Sequence, residues 1–355
     1  MSESKILIHN IFYMLCYAFR ILKQTNFADI LTEDFDHVED MLAAILSRGI
    51  SMQLKKGLYK TYVENSEEIQ ALRGKLHPYE TRMLRNKRIS KVYCSFDEFS
   101  EDNILNQILK STAWKLIDCP EVSVKYRKVL RSEMLFFQNV SDIDLSTVKW
   151  SRLQYHRNNQ SYEMLMNICQ FAWQSLIPST TTGTTKFSMF EENSLPMLYE
   201  KFILEYYRQH FPMLRANDSQ IKWDLPEDVD ISQITHLPGM HSDIMLRYGD
   251  KKLIIDAKFY KSSLADFMGR RMLHSCNVYQ IYTYVKNEDK KHTGNVSGML
   301  LYAKTTDDEL PSLSVPIGGN QISARTLDLN RNFTEISFAL DSIAKNVFGE
   351  LKKVS

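Results

Sequence analysis

Apolar and polar positions alternate most regularly in the range Met240–Tyr260. Two apolar runs, Ile244–Tyr248 and Leu253–Tyr260, are separated by Gly249 and Asp250. A glycine next to an aspartate supplies the positive backbone angles of a two-residue hairpin turn. The pattern therefore predicts a tight antiparallel hairpin.

The register of this hairpin follows from its turn. Counting outward from a turn at residues 249–250 places Asp243 directly opposite Asp256. Side chains alternate between the two faces of a strand, so Lys258 shares the face of Asp256. Two carboxylates and one ammonium group are thus predicted to meet on one patch.

Two facing carboxylates are costly unless something positive lies between them. Directly opposed Cβ atoms are about 4.5–5.5 Å apart, where like charges destabilise the pair, and an unpaired carboxylate in an apolar sheet takes up a proton. A divalent cation resolves both problems, and oxygen ligands without nearby Cys or His favour Mg²⁺ or Mn²⁺ over zinc. An exposed hairpin end with a local Asp256–Lys258 pair explains the same spacing without a metal.

The first hundred residues carry both helical and strand-like patterns. Apolar residues at helical spacing predict helices over Ile11–Leu22, capped by Asn10, and over His37–Leu54. The basic segment, residues 82–91, lies between two strand-like runs and contains no acid. Its five cations are Arg82, Arg85, Lys87, Arg88 and Lys91. Both a solvated loop and a projecting tip that contacts an acidic or nucleotide-bearing partner fit this composition.

A threonine-rich run divides the chain. Residues 178–185 contain only Pro, Ser, Thr and Gly, so they cannot bury an apolar face. They predict a linker at 178–189 between an N-terminal domain, 1–177, and a C-terminal domain, 190–355. Helical patterns dominate residues 100–176, with Ser100 as the predicted first cap. A long surface loop within one domain fits the threonine-rich run equally well.

The C-terminal part mixes helices and strands. Ser194 is the predicted start of an amphipathic helix whose buried face Glu200 borders, where it could also pair with a neighbouring cation. After the hairpin, Gln280 and Tyr284 are four residues apart and therefore lie on one helical face. Further strands and a terminal helix over Phe333–Val347 complete a mixed α/β order.

Composition and charge exclude several classes of protein. The chain has 355 residues, 44% hydrophobic and 25% charged, and its net charge of +1 leaves any nucleic-acid affinity to local patches. Its five cysteines are scattered and form no C-x-x-C pair, which predicts neither disulfides nor a zinc site and fits a reducing cytoplasm. Neither a signal-type segment nor a run of about 18 apolar residues is present, so we expect a cytoplasmic protein without a membrane span.

Several motifs resemble one nuclease family. Ser242-Asp243 followed by Asp256-Ala257-Lys258 at the end of an apolar strand is similar to the PD-(D/E)XK nuclease core, with Ser242 in place of a proline that shapes only the strand. More closely, the chain resembles the McrC family, the nuclease subunits of McrBC modification-dependent restriction systems. The stretches that carry this resemblance are I-H-N-I-F-Y-M-L-C-Y-A-F at 8–19, L-R-G-K-L-H at 72–77, F-D-E-F-S-E-D-N-I-L-N at 96–106, L-Y-E-K-F at 198–202 and L-I-I-D-A-K-F-Y-K at 253–261.

The resemblance implies a fold and a catalytic site. The fold is α/β (α+β), with an N-terminal mixed helical and β finger domain and a C-terminal PD-(D/E)XK nuclease domain whose central mixed sheet is flanked by helices. Asp243, Asp256 and Lys258 are the expected catalytic residues. Mg²⁺, for which Mn²⁺ can substitute, is expected to bind the two aspartates, Glu200 and the carbonyl of Ala257.

Further residues match supporting roles in such nucleases. Gln280 and Tyr284 fit the Q-x-x-x-Y motif of RecB-type nucleases, which supports the active site and contacts the DNA backbone. Lys261, Arg270 and Arg271 add positive charge near the expected site, suited to phosphate contacts that position DNA without reading its sequence.

The resemblance also implies a partner. McrC subunits work with McrB, a hexameric AAA+ GTPase that recognises methylated cytosine and translocates DNA, and they stimulate its GTP hydrolysis. The present sequence has no G-x-x-x-x-G-K-[ST] loop, since Gly74-Lys75 is followed by Leu76, so GTP is expected to act only through the partner. The basic segment is the candidate tip of a finger that enters the hexamer. Two complexes are expected to pair through their nuclease domains on methylated double-stranded DNA.

Three kinds of function compete. The first is a metal-dependent endonuclease subunit, and the second is a catalytically silent activator of an AAA+ motor with a degenerate nuclease fold. The third is a nucleic-acid-binding module without chemistry. Intact Asp243, Asp256 and Lys258 favour the first over the second, and the near-zero net charge disfavours the third.

Overall fold

The chain folds into two units whose boundaries differ from those predicted. A computed structural model describes residues 5–19, 30, 33, 35–176, 194–226, 235–259, 264–267, 270–304 and 312–354. One unit combines Met1–Val38 with Ile177–Ser355, and the other is Glu39–Leu176. The first 38 residues therefore belong with the C-terminal half rather than with a domain 1–177. The predicted linker at 178–189 lies outside the described residues.

The N-terminal helix α1 (Lys5–Ala18) joins the C-terminal half through long-range contacts. The sequence pattern predicts that Asn10 caps this helix. Instead, Asn10 is buried within it. Its Nδ2 donates to the carbonyls of Leu329 and Arg331, each at 2.7 Å. Tyr13 stacks on Phe333 with ring centroids 4.2 Å apart. A buried amide needs hydrogen-bond partners, and here the partners come from the far end of the chain.

The middle unit combines a small sheet with a group of helices. Its elements are α2 (Val38–Lys56), β1 (Thr61–Ile69), β2 (Lys75–Leu76), α3 (Pro78–Asn86), β3 (Val92–Ser100), α4 (Ile104–Ile117), α5 (Val124–Met134) and α6 (Gln160–Leu176). The three strands pair antiparallel in the order β1-β3-β2. Asn103 caps α4, because its Oδ1 accepts from the N–H groups of Leu105 and Asn106. The predicted cap, Ser100, instead ends β3.

Helix α3 occupies the first half of the basic segment, for which the sequence left a solvated loop or a projecting tip open. Pro78 starts the helix, a position at which its missing N–H costs nothing. Thr81 and Leu84 are buried, and the Thr81 hydroxyl accepts from the N–H of Tyr93 on β3. The five cations of the segment are exposed. Part of the charged run is therefore a short amphipathic helix that packs on the sheet.

The unit that combines α1 with the C-terminal half is built around a six-stranded mixed sheet. Besides α1, its elements are α7 (Leu195–His210), β4 (Asn217–Ile221), β5 (Met240–Tyr248), β6 (Lys251–Phe259), β7 (Leu264–Phe267), β8 (Arg270–Leu273), α8 (Ser275–Glu288), β9 (Val296–Lys304), β10 (Leu313–Ile317), β11 (Asn320–Asp328) and α9 (Phe333–Phe348). The strand order is β10-β11-β9-β6-β5-β4, with β6–β9 and β9–β11 parallel. The predicted mixed sheet is confirmed.

Helices cover both faces of this sheet, as predicted. Ile281 and Val285 of α8 pack in one core cluster with Met245 and Ile254 of the hairpin. Helix α7 lies against the opposite face, where Tyr199 meets Phe259 edge to face at 6.0 Å. Strand β6 is thus covered on both sides, and its apolar residues are buried. In the part of the chain that the structure describes, no helix is long and apolar enough to cross a bilayer.

Candidate active site

The hairpin β5–β6 has the register that the sequence predicts. Its pairs run from Tyr248–Lys251 to Ile244–Ile255, around a turn in which Gly249 has a φ of 56°. The regular pairing ends at Ile244–Ile255, and Asp243 and Asp256 are the next residues on the two strands. There the Asp243 carboxylate accepts a hydrogen bond from the N–H of Ala257 at 2.8 Å. A side chain thus takes a donor that would otherwise serve the ladder.

Asp256 is a buried acid with little compensation. It is 1% exposed and pairs with Leu300 on the neighbouring parallel strand, inside an apolar layer. The ammonium nitrogen of Lys258 lies 2.8 Å from its Oδ2. This ion pair is close but poorly aligned, since neither Asp256 oxygen accepts a hydrogen bond of good angular geometry from the described residues. A buried carboxylate without donors is unstable as an anion unless a cation balances it.

Helix α7 adds a third acid to the site. Glu200 is half-buried and lies close enough to Asp256 and Lys258 for their charges to act on it. Burial raises the pKa of Glu200, the Lys258 ammonium lowers it and the Asp256 carboxylate raises it. The structure therefore brings Glu200 to the hairpin carboxylates, as expected from its place beside the buried face of α7.

The two aspartates influence each other. Burial raises the pKa of Asp243, and the carboxylates of Asp256 and then Glu200 raise it further. Burial also raises the pKa of Asp256, which the Lys258 ammonium opposes. Three carboxyl groups in one partly dry region hold protons more tightly than they would in water. A divalent cation would replace those protons and leave the carboxylates as ligands.

The donor set fits a hard divalent cation. It consists of the Asp243 and Asp256 carboxylates and the Ala257 carbonyl, all oxygen ligands of the kind that Mg²⁺ and Mn²⁺ prefer. The donor-poor oxygens of Asp256 are compatible with that role. Among the described residues, no three acidic, His or Cys side chains already converge as a ligand group. Two carboxylates with the carbonyl are therefore the core of the candidate site, and Glu200 lies beside them.

Lys258 is held by a chain of hydrogen bonds from α8. Its Nζ donates to Oε1 of Gln280 at 3.3 Å, and Nε2 of Gln280 donates to the Tyr284 hydroxyl at 2.9 Å. Gln280 and Tyr284 share the face of α8 that their spacing predicts. Because one Gln280 amide group faces both neighbours, its orientation is fixed and its oxygen points to Lys258.

Comparison with known proteins identifies the family. The family model described as McrBC 5-methylcytosine restriction system component matches residues 3–303, which include parts of both units. The chain belongs to this family. Type IV methyl-directed restriction enzyme EcoKMcrBC of Escherichia coli strain K12 is 29% identical over 335 residues, 94% of this chain and 95% of the relative.

A solved structure matches the fold of this McrBC-family chain. It is a refined half-complex from a tetradecameric assembly of Thermococcus gammatolerans McrB AAA+ hexamers with bound McrC. The match has a TM-score of 0.51 at 17% identity and covers 96% of this chain and 76% of the other. At this identity the likeness supports the fold alone.

The predicted phosphate contacts lie next to the site along the chain. Lys261 falls outside the described residues. Arg270 and Arg271 lie on β8, where they pair with Phe267 and Asp266 of β7. This short antiparallel hairpin was not predicted, because its alternation is weak and only four residues long in each strand. Along the chain, the two arginines follow β6 and β7.

A cavity of about 400 Å³ beside Asp243 was also missed by sequence reasoning. Its lining comes from α7, β4 and β5: Met197, Glu200, Lys201, Leu204, Glu205, Arg208, Asp218, Ser242 and Asp243. The α7 residues recur at intervals of three and four, so the helical face was readable from the sequence. Arg208 is engaged there, since it donates to Glu205 at 2.7 Å and to the Ala216 carbonyl at 3.0 Å.

The basic segment belongs to the middle unit. Arg82 and Arg85 lie on α3, while Lys87, Arg88 and Lys91 follow it before β3. Within the described ranges, none of these five cations forms an ion pair. Arg88 has a φ of 59°, in the left-handed region that favours glycine after a helix.

Proposed function

We propose that this chain is the endonuclease subunit of a McrBC-type modification-dependent restriction complex and hydrolyses DNA phosphodiester bonds with a divalent metal ion. The observation that supports it most is the buried carboxylate of Asp256, which lies beside Asp243 and Lys258 and lacks a well-aligned donor in the described ranges. An ion pair that served only stability would be better satisfied, since a half-satisfied buried acid is costly.

The carboxylates and the Ala257 carbonyl are the proposed metal ligands. Asp243 and Asp256 would hold Mg²⁺ or Mn²⁺, with Glu200 as a further ligand from α7. When bound, the ion supplies Lewis-acid polarisation of the scissile phosphate and lowers the pKa of water. The N–H of Ala257 keeps the Asp243 carboxylate oriented toward the end of β6.

Lys258 supplies the positive charge that phosphoryl transfer requires. Its ammonium lies between the Asp256 carboxylate and the Gln280 amide, so it is fixed before DNA binds. There it neutralises negative charge that develops on the phosphate oxygens and orients the attacking water. Gln280 and Tyr284 position the ammonium and act only through it.

Double-stranded DNA is the proposed substrate, and its backbone is the part this chain contacts. Lys261, Arg270 and Arg271 follow the catalytic strand and would bind phosphates, which fixes the duplex without reading bases. Recognition of the methylated base would then rest with a partner. The name of the E. coli relative, a methyl-directed restriction enzyme, supports a methylated substrate.

A hexameric AAA+ GTPase of the McrB type is the proposed partner. The archaeal structure that shares the fold contains McrB AAA+ hexamers with bound McrC. GTP would act only through that partner, and two such complexes would pair through their nuclease units. The basic segment is the proposed contact, supported by Arg88: a non-glycine residue in the left-handed region costs roughly 1–2 kcal/mol. Strain at an exposed cation motivates the proposal that Arg88 serves the partner contact.

One assay tests the proposal. Purified chain is mixed with the GTPase subunit of the same system, GTP and Mg²⁺, and cleavage of methylated and unmethylated DNA is compared. We expect cleavage of methylated DNA that requires every component and that EDTA abolishes. Stimulated GTP hydrolysis without cleavage would instead establish the silent activator. Absence of both would contradict the proposal as a whole.

A further inference from the structure

The strand pair β1–β3 carries a second set of facing carboxylates. Glu64 lies directly opposite Asp97, and both side chains are exposed. In the described part of the chain neither acid has a hydrogen-bond donor or a cation as a partner. Like charges directly opposite on neighbouring strands destabilise the pair. The free protein therefore keeps an unfavourable arrangement on a surface where a Thr or Lys would be more stable.

An exposed aromatic pair adjoins these acids on the same face. Tyr62 lies opposite Phe99, two positions from the acid pair, with ring centroids 5.2 Å apart. The two residues are 72% and 58% exposed, although buried aromatics contribute most to stability. Tyr62, Glu64, Asp97 and Phe99 together form the acid–aromatic face.

The strands that carry this face are uniformly acidic. Residues 61–69 and 92–100 contain five carboxylates and no Lys, Arg or His. The basic segment lies at the other end of the same strands, beyond the Ile69–Val92 pair. The acidic residues and the basic segment thus lie at opposite ends of the β1–β3 strand pair. An acidic surface repels DNA phosphates, so nucleic acid does not fit the acid–aromatic face.

We propose that the acid–aromatic face binds an arginine-bearing segment of the partner GTPase. A guanidinium group can donate hydrogen bonds to both carboxylates and lie on an aromatic ring at the same time. A lysine ammonium also donates hydrogen bonds, but it lacks the planar fork that matches two carboxylates and stacks on a ring. The occupant is therefore a protein loop with an exposed arginine, and binding it removes the repulsion between Glu64 and Asp97. This inference rests on the proposed function, because the partner is the GTPase proposed there.

Binding of full-length variants to the purified GTPase, with a non-hydrolysable GTP analogue, tests the inference. We expect about a tenfold loss of affinity for Glu64→Gln with Asp97→Asn, and about a hundredfold loss when both become Lys. The neutral variant should also lose part of the salt dependence of binding. The matched control is Glu67→Lys with Glu98→Lys on the opposite face of the same strands, which should change affinity less than about threefold.

A second readout separates recognition from folding. The isolated Glu64→Gln, Asp97→Asn variant should melt at a higher temperature than the wild type, since the like charges are gone, yet bind more weakly. Tyr62→Leu with Phe99→Leu should weaken binding about fivefold by removing the ring faces.

Two results would overturn the inference. If the acid variants bound the GTPase as tightly as the wild type, the acid–aromatic face would not be the binding surface. The proposed function would remain intact. A change in self-association by sedimentation, without a change in affinity for the GTPase, would assign the face to a second copy of the chain. Failure of the wild type itself to bind the GTPase would instead contradict the proposed function.

Discussion

Two pairs of carboxylates face each other across antiparallel strands, one in each unit, and their surroundings differ. Asp243 and Asp256 are largely shielded from water, beside one ammonium group, and burial raises both pKa values. Glu64 and Asp97 are exposed on an acidic surface beside two aromatic rings. The same local geometry thus serves different chemistry. We therefore propose a small cation for the first pair, where the dielectric is low, and a protein cation for the second, which faces water.

Removal of the Lys258 ammonium should have the largest effect. Lys258→Met keeps the apolar stem but loses the charge, and we expect cleavage by the assembled complex to fall at least about a hundredfold. Stimulation of GTP hydrolysis should stay within about twofold of wild type, because the acid–aromatic face and the basic segment are intact. Cleavage near the wild-type rate would show that the buried pair is not catalytic.

Gln280 should affect cleavage less, because it acts through Lys258. We expect Gln280→Ala to lower kcat about tenfold with little change in KM, since the ammonium loses an acceptor that orients it. Thr283→Ala on the same helix is the control, because the Thr283 hydroxyl donates to the Tyr279 carbonyl of that helix. Equal losses in both variants would indicate damage to α8 in place of a positioning role.

Metal binding should distinguish the two acid pairs directly. At a hundredfold excess over its Kd, Mg²⁺ would stabilise the folded chain by about 2.7 kcal/mol, or roughly 5–10 °C in Tm. Asp243→Asn should abolish this shift, measured by thermal unfolding with Mg²⁺ or EDTA. The Glu64→Gln, Asp97→Asn variant should keep it. If the Glu64→Gln, Asp97→Asn variant lost the Mg²⁺-induced Tm shift and Asp243→Asn kept it, the metal would be assigned to the wrong acid pair.

Glu133 offers a buried acid with no proposed chemistry. It lies on α5, accepts from the Ser51 hydroxyl, and its second oxygen has no partner within the described residues. Burial raises the pKa of Glu133 to about 7, although the Ser51 hydrogen bond lowers it. The folded state therefore binds this proton more tightly than the unfolded state, and stability from Glu133 is lost as pH rises from about 4.5 through 7.

Glu133→Gln should remove that pH dependence. We expect the variant to be more stable than wild type by about 1–3 kcal/mol at pH 8 and to lose the advantage near pH 4. Urea unfolding at both pH values measures the difference. Cleavage and GTPase stimulation should stay unchanged, in contrast to variants of Asp256. An equal advantage at both pH values would contradict the assignment to proton binding.

The smallest effect is expected at Arg88. Arg88→Gly relieves a left-handed backbone and should stabilise the chain by about 0.5–1 kcal/mol in urea unfolding. GTPase stimulation should fall, because a cation of the basic segment is lost. Arg88→Asn, which also tolerates this conformation, is the control for backbone strain. Unchanged stimulation in both variants would remove Arg88 from the partner contact.

Local patterns predicted the β5–β6 hairpin well, for a physical reason. The turn at residues 249–250 and the strict alternation beside it fix the register without help from the rest of the chain. Helical spacing likewise placed Gln280 and Tyr284 together. Neither pattern could show that the Asp243 side chain takes the Ala257 N–H, because that departs from regular pairing.

Long-range contacts explain what the sequence did not reveal. Asn10 reads as a helix cap, yet its partners are carbonyls more than three hundred residues away. Helix α3 was hidden by charge, since only Thr81 and Leu84 mark its buried side. The cavity beside Asp243 combines a helical face with residues of two strands, such as Asp218 and Ser242, whose proximity depends on the sheet.

The position of α1 has a consequence for how the chain is made. Helix α1 precedes the middle unit in the chain, but the α7 surface on which it packs and the Leu329 carbonyl that Asn10 binds both follow that unit. The middle unit is an insertion between α1 and α7, so it can form before α1 meets its packing partners. Deletion of residues 5–18 should therefore expose apolar surface on α7 and reduce the yield of folded nuclease unit, even though no proposed catalytic residue is touched.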